Sequence, residues 1–164
     1  MLGVGSGREQ GIGRLIDPQP CPSKKRIMKR KTTKQLKKEA LRLFSIYTRL
    51  KDCLRTTGTT TSGRCISCGK IFPFKELQAG HFVSGRHNSN LFNERGCHAQ
   101  CRGCNLFKHG NQLEYRRAII KLYGEGVDEE IEAEARIIKD LRTTELTKLI
   151  NHYKREIEKL REGQ

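Results

Sequence analysis

The sequence predicts an α+β fold, in which helices flank a small central core of short strands. Two Cys-x-x-Cys motifs, Cys65/Cys68 and Cys101/Cys104, lie in the middle of the chain. Apolar residues at helical spacing precede and follow them, and short runs of strand-forming residues lie between them. The chain has 164 residues, of which 35% are hydrophobic and 6% aromatic, so a large apolar core is not expected. A bound metal commonly substitutes for one.

The four cysteines predict a structural zinc site. Each Cys-x-x-Cys motif presents two thiolates on one tight turn, and two motifs complete the tetrahedral sulfur shell that zinc prefers. Simple zinc ribbons separate their motifs by about 15–20 residues, whereas 32 residues (69–100) separate Cys68 from Cys101. This insert contains His81, His87 and His98, which makes it the place to look for functional residues. Cys97 is close enough to compete as a ligand, although a small buried hydrophobe is the role we expect for it.

The charge of the chain predicts a polyanionic partner. The sequence has 33 Lys and Arg against 18 Asp and Glu, a net charge of +15. A field of this sign attracts nucleic acid; the alternative is a basic surface that serves only solubility. No apolar stretch approaches the roughly 18 residues of a membrane span, and the chain does not start with the pattern of a signal peptide. We therefore expect a cytoplasmic protein that does not associate with membranes.

Residues 1–32 are predicted to form a disordered, basic N-terminal arm. Residues 1–23 contain five glycines and three prolines and have little periodic pattern. Residues 24–38 carry nine positive charges and no acid. Such a run is either a solvated tail or an arm that settles on phosphates. The candidate DNA contacts in the arm are Lys24, Lys25, Arg26, Lys29, Arg30 and Lys31.

The apolar pattern predicts the elements in order. A helix should begin at Thr33 and fade by Gly58, followed by a loop. Strand material is expected over residues 71–74 and 77–83, then a polar loop over 84–90. A helix is expected to begin near the second Cys-x-x-Cys motif and to include residues 113–123, with further helices at 127–140 and 144–161.

The last of these helices has an apolar stripe along about five turns. The stripe either packs on the helix over residues 33–50 or on a second copy of the chain. The residues of the stripe are Leu146, Leu149, Ile150, Tyr153, Ile157 and Leu160. We divide the chain into the arm, a core over residues 33–125 with its leading helix, and a C-terminal helical region over residues 126–164.

Five motifs at fixed offsets connect these elements to a known family. They are Cys65-Ile-Ser-Cys68-Gly69, Ala79-Gly80-His81-Phe82, Phe92-Asn93-Glu94-Arg95, His98-Ala-Gln-Cys101-x-x-Cys104-Asn105 and Lys108-x-Gly110-Asn111. From about Leu41 to Ile131 the series resembles the NinG (Rap) family of phage recombination proteins, which is similar to a branch of the HNH, or ββα-metal, endonucleases. The resemblance implies a zinc-bound ββα-metal core between the Cys-x-x-Cys motifs and a structure-specific endonuclease. Its substrates would be branched recombination intermediates such as Holliday junctions and D-loops. It would act in a phage-infected host, with other phage recombination proteins as possible partners.

The resemblance also implies roles for individual residues. His81 takes the position of the general base, and its ordinary pKa of about 6.5 keeps a histidine mostly neutral at physiological pH. Asn105 offers a carbonyl oxygen to Mg²⁺ or Mn²⁺, which favour oxygen ligands. Lys108 and Asn111 are candidate phosphate contacts. His98 is a candidate metal ligand, an outer support for the site, or a replacement base.

Two positions depart from the HNH pattern. Gly80 stands where many HNH enzymes have an aspartate ligand, so a second ligand must come from His81, Glu94 or His98. Gly96 stands where the middle asparagine of the motif usually lies. Two alternatives follow: a zinc-stabilised DNA-binding or architectural module that cuts nothing, and an HNH endonuclease with another DNA specificity. Because a four-way junction has two symmetry-related strands to cut, an enzyme with one such site per chain is expected to be a homodimer.

Overall fold

The computed structural model describes Gly3, residues 30–85 and residues 87–163. Apart from Gly3 and residues 30–32, the arm predicted to be disordered lies outside the described residues, as do its predicted DNA contacts Lys24, Lys25, Arg26 and Lys29. Lys31–Gln164 forms one compact unit.

The unit is a mixture of helices and short strands, as an α+β fold requires. Its helices are α1 (Thr33–Thr57), α2 (Gln112–Tyr123), α3 (Val127–Arg136) and α4 (Thr143–Glu162). Its strands are β1 (Ser62–Arg64), β2 (Ile71–Pro73), β3 (Leu77–His81) and β4 (Cys97–Cys101). A 3₁₀ turn, Phe74–Glu76, precedes β3, and a π-helical turn, Gly103–Phe107, follows β4.

The ends of α1 follow from local chemistry. The Thr32 side chain accepts a hydrogen bond from the Gln35 backbone, and the Gln35 side chain accepts one from the Thr32 backbone, which satisfies two donors at the start of the helix. Gly58 ends the helix in the left-handed region, with φ of 71°. The predicted helix is therefore confirmed and ends at the expected position.

The strands form two antiparallel hairpins. In the first, Gly63 of β1 pairs with Phe72 of β2. In the second, Leu77 pairs with Cys101, and Gly80 pairs with His98. The helix predicted to begin near the second Cys-x-x-Cys motif begins as the π-helical turn that contains Cys104 and resumes as α2 at Gln112, whereas Cys101 ends a fully buried strand. A strand, a strand and a helix thus follow one another along the chain.

The largest apolar core lies between α1 and α4. Ala40, Phe44 and Leu50 of α1 are buried against Leu146, Ile150, Tyr153 and Ile157 of α4, and Leu149 and Leu160 pack at the edge. Burial of a large apolar side chain contributes about 1.5–3 kcal/mol. The apolar stripe of α4 therefore packs on α1, which is the intramolecular alternative.

A smaller core joins α2 and α3 to the end of β3. Its buried members are Phe82, Tyr115, Ile119, Val127 and Ile131. The Tyr115 hydroxyl donates to the Gly80 carbonyl at 2.8 Å, so α2 is fixed to β3 by a polar contact as well. Among the described helices, none is long and apolar enough to cross a membrane.

Candidate metal centre and active site

The four predicted zinc ligands converge. The sulfur atoms of Cys65, Cys68, Cys101 and Cys104 all lie within 4.8 Å of one another. Cys65 follows β1, Cys101 ends β4 and Cys104 lies in the π-helical turn, so the hairpins bring the two motifs together. Four sulfur atoms at this separation suit a structural metal such as zinc. The predicted grouping of these cysteines is confirmed.

Backbone and side-chain donors surround the sulfur atoms. The Cys101 amide donates to Cys65 Sγ at 3.3 Å, and the Cys104 amide donates to Cys101 Sγ at 3.4 Å. The Asn111 amide group donates to Cys104 Sγ at 3.6 Å. Such contacts orient thiolate ligands and stabilise their negative charge. Asn111, predicted to contact phosphate, thus supports the metal centre.

The titration of the cluster is consistent with a need for a cation. Burial raises the pKa of Cys65 to about 12 and also raises the pKa of Cys104. Burial alone would raise the pKa of Cys68 too, but hydrogen bonds from the Lys70 backbone and the neighbouring thiols lower it. The surrounding protein therefore favours the protonated thiols of Cys65 and Cys104, and metal binding there would release protons.

The other described cysteines are separate from this cluster. Cys97 is fully buried in the core between α1 and α4, and burial raises its pKa well above the ordinary value. Cys53 is buried against Leu77 and Ala99, and burial raises its pKa to about 11. The prediction that Cys97 is a buried hydrophobe is confirmed.

His81 lies at the end of β3, half-buried, with its ring centroid 6.3 Å from that of Phe44. Its Nε2 lies 3.1 Å from the Leu91 carbonyl oxygen. A carbonyl oxygen only accepts, so this contact places the ring proton on Nε2 and the lone pair of the neutral ring on Nδ1. The loop between β3 and β4 therefore orients the His81 ring through the Leu91 carbonyl. This contact does not require the asparagine that the HNH pattern has at position 96, where this chain has glycine.

Asn105 lies in the π-helical turn directly after Cys104, so a bound zinc would fix its backbone. Its side-chain amide donates to Gln78 Oε1 at 2.7 Å, which leaves the Asn105 carbonyl oxygen as the atom for a hard cation. Gln78 precedes His81 by three residues on β3. At about 3.3 Å per residue, roughly 10 Å of strand separates the two positions. The structure thus brings the Asn105 side chain to Gln78 on β3, three residues before His81, and gives the two candidate side chains different partners.

The structure has no room for a side chain at Gly80, directly before His81. Gly80 is buried, and a Cβ built there would lie 2.2 Å from Gln100 Oε1. Gln100 donates to Ser67 Oγ at 2.7 Å and to the Gly110 carbonyl at 2.5 Å, so it is held in this position. Gln100 therefore occupies the space that a side chain at position 80 would need.

His98 is buried in a polar network rather than exposed at a surface. Its Nδ1 lies 3.0 Å from Asp52 Oδ2, and its Nε2 lies 3.2 Å from both the Arg95 carbonyl and the Tyr123 hydroxyl. Asp52 also accepts from the Ala99 amide at 2.6 Å. Of the three roles considered for His98, this placement favours outer support of the site.

Sequence reasoning missed Asp52, although a signal was present. Ala40, Phe44, Thr48 and Asp52 recur every four residues, and all four are buried on one face of α1. An acid on the apolar face of a helix indicates a buried partner, because an unpaired buried carboxylate is costly. Here the charged or polar side-chain partners are His98 and Arg55.

The remaining candidate DNA contacts are at the surface. Lys108 is exposed at the end of the π-helical turn, and Arg30, which directly precedes Lys31 in the sequence, is exposed as well. Lys31 is exposed and pairs with Glu39 at 2.5 Å. An exposed pair of this kind contributes about 0–1 kcal/mol, so it leaves Lys31 available to exchange partners.

Comparison with known proteins identifies the family. The family model described as Bacteriophage Lambda NinG protein matches residues 19–163. The chain belongs to the NinG family. Protein ninG of Salmonella phage P22 is 35% identical over 101 residues, which cover 60% of this chain and 48% of that protein. Protein ninG of Escherichia phage lambda is 40% identical over 70 residues, which cover 42% of this chain and 34% of that protein.

The matches to these NinG proteins span only about a third to a half of the relatives' length. No solved structure matches. In this NinG chain the motif Phe92-Asn93-Glu94-Arg95 serves packing between elements. Glu94 accepts from the Tyr47 hydroxyl and from Lys51, each at 3.0 Å, and Arg95 pairs with Glu130 and Glu134 of α3. These contacts engage the Glu94 carboxylate that was a candidate metal ligand.

Proposed function

We propose that this NinG chain is a metal-dependent endonuclease of the HNH type that cleaves branched DNA. The observation that carries the proposal is the setting of His81. It ends the first strand of the β3–β4 hairpin, α2 follows the hairpin, and the contact with Leu91 directs the lone pair of the neutral ring to Nδ1. A histidine with a defined neutral tautomer at a half-buried strand end is suited to remove a proton from water.

Phosphodiester hydrolysis needs an activated water, compensation of negative charge and help for the departing 3′ oxygen. His81 Nδ1 takes the proton of the attacking water. A divalent cation such as Mg²⁺ or Mn²⁺ would supply the positive charge near the scissile phosphate. Asn105 is the residue that would hold it, since its amide group is fixed by Gln78 and its carbonyl oxygen is a suitable donor.

In this proposal the zinc site is a scaffold. Cys104 directly precedes Asn105, and Asn111 contacts the Cys104 sulfur, so the zinc-bound turn sets the position of the candidate cation ligand. His98 acts through other residues, because its ring contacts Asp52, Arg95 and Tyr123 in the interior. We therefore assign His98 to positioning β4 and not to the chemical step.

The partner that fits this chemistry is branched DNA in the cytoplasm of a phage-infected host. The net charge of +15 provides a sequence-independent attraction to phosphates. Paired cleavage of a four-way junction favours a homodimer, and other phage recombination proteins are candidate partners. Because α4 packs on α1, a dimer must use a surface other than the apolar stripe of α4.

Replacing His81 tests the proposal. His81→Ala should keep its zinc and its junction affinity, and lose cleavage of a four-way junction with Mg²⁺ or Mn²⁺ by about 10²–10⁴-fold. His87→Ala, in an exposed loop of the same insert, is the matched control and should cleave normally. Equal cleavage by the His81 and His87 variants would show that the base is elsewhere.

A second candidate function is a DNA-binding module that does not cut. It is favoured by the position of Gly80, where Gln100 leaves no space for an acidic ligand. If the wild-type protein binds junctions but leaves them intact with either cation, this candidate replaces the nuclease. If Asn105→Ala loses cleavage and more divalent metal partly restores it, the nuclease stands.

A further inference from the structure

The π-helical turn presents two large apolar side chains to solvent. Phe107 is 73% exposed and Leu106 is 48% exposed. Both directly follow Asn105, the candidate cation ligand. Single exposed apolar residues are ordinary on protein surfaces, but an adjacent pair beside a candidate active site requires an explanation.

The backbone that carries Phe107 is held on both sides. The Lys108 amide donates to the Gly103 carbonyl at 3.0 Å, and the Gly110 amide donates to the Cys104 carbonyl at 3.0 Å. Cys104 belongs to the metal centre, so zinc would stiffen the turn further. The aromatic side chain is therefore presented from a rigid support, which limits the entropy lost when it contacts a partner.

The surroundings of Phe107 indicate the chemistry of that partner. The Arg102 guanidinium lies 5.6 Å from the Phe107 ring centroid, and Lys108 is exposed next to it. Arg102 and Leu106 also line a hollow with Lys75 and one acid, Glu76. An aromatic ring among basic side chains is the combination that proteins use to stack on a base while holding its phosphates.

We propose that Phe107 stacks on an unpaired or unstacked nucleobase at the branch point of DNA, with Arg102 and Lys108 on the adjacent phosphates. This inference rests on the proposed function. It adds a physical reason why the protein would prefer branched DNA to continuous duplex. In continuous duplex the faces of the bases are covered by their neighbours, so stacking there requires costly unstacking. At a branch point base faces are exposed already, and the same side chain gains contact at a lower cost.

The test compares Phe107→Ala with Phe107→Trp, both in a His81→Ala background that keeps the DNA intact. Affinities are measured for a four-way junction and for a linear duplex of the same sequence. Loss of one stacked base is expected to weaken junction binding by Phe107→Ala by about 5- to 100-fold and duplex binding by less than about 2-fold. Phe107→Trp should retain the junction preference. The fluorescence of 2-aminopurine placed at the branch point should change on binding of the proteins that have Phe or Trp at position 107, and should not change on binding of Phe107→Ala.

Controls separate this inference from the proposed function. Ile138→Ala removes another exposed apolar side chain, 97% exposed and far along the sequence, and should leave both affinities unchanged. If Phe107→Ala leaves the junction preference unchanged, or weakens both DNAs equally, the stacking role is overturned while the nuclease proposal stands. If the parent protein binds neither DNA, both proposals are overturned together.

Discussion

Two regions of the molecule are stabilised in different ways: the helical side, which is the core between α1 and α4, and the metal side, which is the cysteine cluster with the strands around it. On the helical side, α1 and α4 bury an apolar face made of many side chains that were identifiable from periodicity alone. On the metal side, β1 and β2 have three residues each, and together with the end of β4 they adjoin a cluster whose buried members are Cys65, Cys101 and Cys104, with Phe72 packed against them. Phe72 is the apolar side chain packed against these cysteines, so bonds to a metal such as zinc would supply the stability that packing supplies elsewhere.

The difference shows how each side depends on its sequence. With a bound metal, the metal side would depend on a few positions at fixed spacing, and the loss of one ligand would affect all of them. The helical side distributes its stability over many contacts, so each substitution has a limited effect. Between the two sides lies β4, whose residues contribute to both: Cys97 lies in the helical core and Cys101 in the metal cluster.

The largest expected effect is the loss of zinc. Binding at such sites contributes on the order of 10 kcal/mol to folding, so Cys68→Ser should lower zinc content below one ion per chain and melt the hairpins. α1 and α4 should keep much of their helical signal. Metal analysis, circular dichroism and thermal melting check these outcomes.

Cys97→Ala is the control for this comparison, because Cys97 is buried outside the cluster. It should lose some stability yet retain one zinc per chain. A Cys68→Ser protein that melts like the wild type would show that the metal side does not depend on zinc. A wild-type protein that contains no zinc would contradict the proposal that zinc is the scaffold of this side.

The two sides also differ in how far the sequence predicted them. Cysteine spacing alone predicted the metal cluster, because four ligand atoms must meet wherever the intervening chain goes. The helices followed from periodicity, but the surface that α4 covers did not, since an apolar stripe does not specify its partner. Contacts between distant residues were also missed: the filling of the space at Gly80 by Gln100 and the carbonyl of Leu91 near His81 depend on tertiary structure.

The next largest effect is expected at Asp52, which joins the two sides. From α1 it accepts hydrogen bonds from the Ala99 amide and contacts His98, both on β4. Removing one partner of a buried network of this kind costs about 3–5 kcal/mol. Asp52→Ala should therefore lower the free energy of unfolding by this amount, measured with urea, and Asp52→Asn should lose less because it keeps an acceptor.

The pH dependence provides a separate check on Asp52. Burial acts to raise the pKa of this carboxyl, but the hydrogen bond and charge of His98, the Ala99 amide and Arg55 lower it. A lowered pKa stabilises the fold fully above the ordinary value of about 3.9 and ceases to do so as the pH falls through the lowered value. The stability gap between wild type and Asp52→Asn should therefore narrow on acidification. If the difference in unfolding free energy between the two proteins stays constant over this pH range, the effect of the substitution comes from packing and not from the charge of Asp52.

The smallest of the three effects is expected on the helical side, at Ile157. This α4 residue is 5% exposed and belongs to the core with α1. Ile157→Ala should cost about 2–5 kcal/mol of unfolding free energy, measured with urea, and should leave the zinc content at the wild-type value. Because the stripe of α4 packs within the chain, the cost should be the same at low and high protein concentration. A cost that grows on dilution would place Ile157 in an interface between two copies. Loss of zinc together with stability would show that the two sides fold as one unit, and the distinction between them would fail.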